Sequence, residues 1–89
     1  MDVTVPAMLR EIGSAQRFDV QIEDISLTGF CCATSFRLNV GQLVAITLPG
    51  LASIEARVAW AQRYRYGCEF DRALHVAVFD HIVRQHRKV

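Results

Sequence analysis

Asp24-Ile25-Ser26-Leu27-Thr28-Gly29 places a carboxylate, a hydroxyl and a glycine within six residues at the end of an alternating strand. An ionised carboxylate accepts paired N–H donors, a hydroxyl donates or accepts, and glycine permits close approach of a backbone, so the set suits recognition of a polar base. The same residue types also make ordinary turns, because Asp and Ser bond to nearby backbone amides and Gly supplies positive φ. The preceding run Phe18-Asp19-Val20-Gln21-Ile22-Glu23 alternates apolar and polar residues and predicts a half-buried strand that delivers the segment to a sheet edge or barrel rim. Asp24 and Ser26 are then expected to project the same way.

The other chemistry-bearing residues fall into weaker patterns. Cys31, Cys32 and Cys68 have none of the paired spacings of a metal site, and neighbours 31 and 32 on a strand point to opposite faces. They are expected to be reduced, mostly buried thiols. His75, His81 and His86 lack an i, i+4 pair, so no metal site is predicted on the helix that carries them. A Cys68 nucleophile paired with His75 would need an activating environment that nothing in the sequence announces, so no enzyme is expected. Trp60 alternates with Val58 and reads as a core or rim residue, as do Phe30 and Phe36. Arg63 and Arg65 flank Tyr64 in a predicted hairpin and form a small cationic and aromatic patch, an auxiliary candidate for contact with an anionic ligand.

These residues must be positioned by a single domain, since 89 residues leave room for one thin core. Hydrophobic residues at 52% and charged residues at 21% are ordinary globular values and argue against disorder. Ten Lys and Arg against nine Asp and Glu give a net charge of +1, which provides no field for duplex DNA. An oligonucleotide-binding barrel is likewise disfavoured, for want of a basic stripe and a run of exposed aromatics. The longest uncharged run, Leu38 to Ile54, is broken by Gly41 and Pro49-Gly50, and no secretory leader opens the chain, so neither a membrane span nor a secreted precursor is expected.

Strands are predicted over Val3–Ile12, Arg17–Asp24, Gly29–Ser35, Leu43–Leu48, Ser53–Gln62 and Tyr66–Phe70, punctuated by Gly13-Ser14, Asn39-Val40-Gly41 and Pro49-Gly50. Short strands at this spacing favour a closed or nearly closed antiparallel barrel of five or six strands over residues 3–70. The period then changes, predicting one C-terminal helix over about 72–87, capped by Asp71, with Arg84, Arg87 and Lys88 at its end and an Asp80–Arg84 pair. Leu74, Val76, Val78, Phe79, Ile82 and Val83 cover more than half of that helix. The arc is expected to bury against the barrel mouth, and because it is wider than one barrel contact needs, a protein partner or self-association through the helix is the second expectation.

Four segments together resemble the PilZ domain family of small bacterial barrels. They are Asp24-Ile25-Ser26-Leu27-Thr28-Gly29, matching the pattern Asp-x-Ser-x-x-Gly, then Val40-Gly41-Gln42-Leu43-Val44, Ala56-Arg57-Val58-Ala59-Trp60, and Tyr66-Gly67-Cys68-Glu69-Phe70. The tail Gly67 to His75 also looks like single-domain PilZ proteins of alphaproteobacteria. The resemblance implies a six-stranded barrel with one C-terminal helix, a non-enzymatic cytoplasmic role in second-messenger signalling, and cyclic di-GMP as ligand, with no cofactor. It carries the guanine-contacting roles onto Asp24 and Ser26 and the close backbone approach onto Gly29. One departure stands out. The family's Arg-x-x-x-Arg motif, which stacks on guanine and pairs with phosphates, matches no two arginines here, and the strand register puts its place at or before Met1. Arg10 and Arg17 fall at the far end of the first hairpin, roughly 20 Å from Asp24. The resemblance therefore implies a degenerate cyclic di-GMP site or, alternatively, an adaptor that works through protein contacts without the messenger.

Overall fold

Alternation governs the first hairpin up to Ile22. Strand β1 (Asp2–Glu11) buries Val3, Val5, Ala7 and Leu9, and β2 (Arg17–Ile25) buries Phe18, Val20, Ile22 and Ile25, with Gly13 at φ 93° in the connecting turn. Strands β3 (Gly29–Ala33), β4 (Leu43–Thr47), β5 (Ile54–Gln62) and β6 (Arg65–Phe70) follow, and a helix α1 (Val76–His86) ends the chain. The computed structural model describes residues 1–87. The strands close into an antiparallel barrel in the order β1-β2-β3-β6-β5-β4, with β1 pairing β4 to seal it. Closure leaves no free edge from Met8 to Arg10, where β1 is paired on both sides.

The inward residues of all six strands form one core with Ile82 and Val83 of the helix. Leu9, Ile22, Val44, Ile46 and Val58 are at most 1% exposed. Burial on this scale is the main stabilising term, at about 1.5–3 kcal/mol for each large side chain. Phe30 and Phe70 meet inside at a ring separation of 5.3 Å, a tilted arrangement. At the end away from Asp24, the Tyr66 hydroxyl donates to the Phe36 carbonyl and accepts from Leu38 N, both at 3.1 Å. That double bond to backbone ties the long β3–β4 connection across the barrel and lets Leu38 bury fully.

Three expectations are corrected. The helix begins at Val76, not near residue 72: the connector is instead tied along the barrel, with Asp71 N bonding Glu55 O at 2.9 Å and Leu74 N bonding Leu27 O at 2.7 Å. His75 rather than Asp71 is the cap, its Nδ1 accepting from Ala77 N. Among the described residues the ion pairs are Met1–Asp24 and Glu23–Arg65, so Asp80 and Arg84 stay solvated rather than paired, as suits a surface contact worth a few tenths of a kcal/mol. Lys88 lies outside the described residues. The wide apolar arc is spent on the barrel: Ile82 and Val83 are buried, Leu74, Val78 and Phe79 pack half-buried against the core, and Val76 alone of the arc is exposed.

Candidate functional site

Two β-bulges build the site. In β2 the register moves from Ile22↔Cys32 to Asp24↔Cys31, so one extra residue is inserted around Glu23. Simple alternation after Val20 and Ile22 would send Asp24 into the core. The bulge turns it outward and puts Ile25 inside instead. In β5 the register moves from Val58↔Cys68 to Trp60↔Gly67, and the extra residue around Ala59 does the same to Trp60. The expectation of a core or rim tryptophan is corrected accordingly: Trp60 is 45% exposed on the outer wall. Phe30 is buried as expected, and Phe36 stacks on Phe18 at 4.2 Å.

The two bulges align a row across four strands, Asp24, Cys31, Gly67 and Trp60, each a cross-strand neighbour of the next. A cleft of about 350 Å³ opens above the row, lined also by Ser26, Thr28, Gly29 and Glu69. The Trp60 indole lies directly over Gly67, where an added Cβ would overlap its five-membered ring. Gly67 is thus buried although its strand position faces out. The result is a flat aromatic floor at one end of the cleft and the Asp24 carboxylate at the other.

Ser26 and Gly29 hold the loop between them in shape. Ser26 Oγ accepts from Gly29 N at 3.1 Å and from Thr28 N at 3.3 Å, while Ser26 N donates to Gly29 O at 2.9 Å. The turn-forming role of the serine is therefore realised, and its hydroxyl also borders the cleft. Gly29 is required for a different reason from positive φ: a Cβ there would overlap the Cys68 carbonyl oxygen of β6. Phe70 N and Leu74 N bond the carbonyls of Thr28 and Leu27, so the loop is clamped from β6 and from the connector to the helix.

Asp24 Oδ1 accepts from the Met1 ammonium at 2.8 Å, and Asp2 is its register partner on β1. The arginines are elsewhere. Arg65 neighbours the row but turns to Glu23, with Nε at 3.3 Å from Oε1. Arg63 and Tyr64 form the β5–β6 turn at φ 46° and 65° and border other concavities with Arg37 and Ser35. Arg57 donates to the Gly41 carbonyl, and Arg10 to Ser14 O at the far end of the hairpin. The structure thus brings Asp24, Ser26 and Gly29 together and leaves Arg63 and Arg65 outside the lining. Trp60 and Gly67, which sequence reasoning missed as site residues, could have been found only by recognising the bulge.

Thiol chemistry in the cleft is suppressed. Burial, reinforced by Cys32, Glu23 and Asp24 nearby, pushes the Cys31 thiol above its usual range, with Arg65 opposing. Inside the barrel a hydrogen bond with Cys68 and then burial hold Cys32 firmly protonated. Native protein at pH 8 is therefore expected to react with a thiol reagent slowly at Cys31 and not at Cys32, full reaction appearing only in denaturant. Rapid modification of Cys32 in the native state would contradict the closed barrel.

The profile of the PilZ domain family matches residues 1–86. The chain belongs to the PilZ domain family. PilZ domains are cyclic di-GMP-binding signalling domains, regulatory rather than enzymatic. The barrel is also similar to the crystal structure of the PilZ domain of CeSA from a cellulose-synthesizing bacterium, with TM-score 0.66 and 19% identity over 96% of this chain and 91% of that one. At that identity the likeness speaks for the PilZ fold alone. Among curated proteins none matches the chain significantly.

Proposed function

We propose that this PilZ domain is a non-enzymatic signalling module of the bacterial cytoplasm whose cleft holds one guanine of cyclic di-GMP with low affinity. The observation that carries the reading is the outward pairing of Asp24 and Trp60 over a single cleft. An ionised carboxylate accepts from the N1 and N2 hydrogens of guanine, and an exposed indole stacks on its ring. Ser26 and Gly29 support the same site by shaping the loop and keeping its backbone close to β6. Affinity is low because, among the described residues, no Lys or Arg side chain lines the cleft. Each missing charge-assisted contact forfeits about 1.5–3 kcal/mol.

Calorimetric titration of cyclic di-GMP into the chain tests this reading. Weak, saturable binding is expected, with a dissociation constant of tens to hundreds of micromolar, reduced at least fivefold by Asp24→Ala. Ser26→Ala should weaken it through the loop, with a matching loss of protection at the Thr28 and Gly29 amides. The absence of heat up to several hundred micromolar ligand would defeat the receptor reading and favour an adaptor that works without the messenger.

A further inference from the structure

The charges around the cleft are the reverse of what a dianionic nucleotide needs. Among the described residues, the side chains that line it include two carboxylates, Asp24 and Glu69, and no Lys or Arg. Asp2 stands opposite Asp24 on β1, and Glu23 flanks it on β2. Among the described residues, Arg65 lies on Glu23, Arg57 is opposite Glu69 in register and donates to Gly41 O, and the Met1 ammonium sits on Asp24 Oδ1, while Arg87, whose backbone bridges Val3, is outside the lining. Among the described residues Asp24 Oδ2 has no protein partner. Base-recognition groups are therefore present without phosphate-recognition groups.

Resting on the proposed guanine-binding role of Asp24, we infer that the cleft is a base reader whose preferred ligand class is an uncharged guanine nucleoside, and that phosphate on the ligand opposes binding. Guanine presents two N–H donors to the carboxylate. Adenine presents a ring acceptor at the corresponding position, which the carboxylate repels. A phosphate near Asp24 and Glu69 adds like-charge repulsion that reaches across the site at low ionic strength, where the screening length is about 30 Å at 0.01 M, and fades toward about 8 Å at 0.15 M. Salt should thus strengthen nucleotide binding, the opposite of its effect on a cationic phosphate site.

The test is a titration of the full 15N-labelled chain with guanosine, 5′-GMP, adenosine and cyclic di-GMP at about 10 mM and about 150 mM salt. The readouts are the amides of Gly29 and Gly67 and the Trp60 indole N–H. Guanosine is expected to shift all three saturably, adenosine none, and Asp24→Asn to abolish the guanosine response. GMP should bind about threefold or more weakly than guanosine at the lower salt, with the difference shrinking at the higher. Tighter binding of GMP or cyclic di-GMP than of guanosine at low salt would overturn the inference, as would cyclic di-GMP binding with guanosine silent, although the latter leaves the receptor reading intact. Guanosine binding that depends on Asp24 while cyclic di-GMP shows none would uphold the inference and remove the receptor reading. Silence from every guanine ligand would remove both.

Discussion

Gly29→Ala is expected to lower the stability of the domain by about 3 kcal/mol, or roughly 12–24 °C in thermal midpoint for a chain of this size. The added methyl overlaps the Cys68 carbonyl oxygen, which belongs to backbone and cannot rotate away. Relief requires β3 to separate from β6, disturbing the Gly29↔Glu69 and Phe30↔Cys68 positions and the bonds from Ser26 to Gly29. The cleft should be lost along with the stability, because the Asp24–Gly29 loop moves with the strand. Thermal unfolding followed by circular dichroism measures the effect, and a midpoint within 3 °C of the parent would show that the strands are not held as closely as described.

Gly67→Ala should have the opposite balance, with little cost to the fold and a large one to the site. Its methyl meets a side chain, the Trp60 indole, which is on the outer wall and free to swing into solvent. Unfolding by urea should therefore shift by less than about 1 kcal/mol. Losing the stacking floor is expected to weaken guanine-ligand binding about tenfold or more, since stacking of a base on an aromatic side chain is worth about 1–3 kcal/mol. Trp60 is the chain's one tryptophan, so its fluorescence reports the displacement directly, and a red shift should accompany the loss of affinity. Trp60→Ala should match Gly67→Ala in binding. If Gly67→Ala bound ligand like the parent, the indole would not be part of the site.

Gly29 and Gly67 also show how differently two glycines can be read. Gly29 stands in a recognisable pattern, and its importance was visible, though for close strand packing and not for a positive φ. Gly67 looked like one residue of a strand segment, and its role depends on which residue of β5 lies opposite it. That pairing is invisible without the bulge around Ala59. The helix illustrates a similar limit: its apolar period was plain from Leu74 to Val83, but the connector before it is tied to carbonyls of Leu27 and Glu55 that are distant in sequence.

Local alternation and turn residues pointed to a barrel of five or six short strands and a single helix, because a period of two and the breaks at Gly13, Gly41 and Pro49-Gly50 are properties of neighbouring residues. They also determined that Asp24, Ser26 and Gly29 belong together. Only the tertiary structure decided which way Asp24 and Trp60 face. A bulge inserts one residue relative to the partner strand and inverts every side chain beyond it, so orientation is set by pairing across the barrel, a relation between segments far apart in the chain. The same closure decided the charge of the cleft, by sending Arg65 to Glu23 and Arg63 to the hairpin tip while leaving Asp24 and Glu69 at its walls.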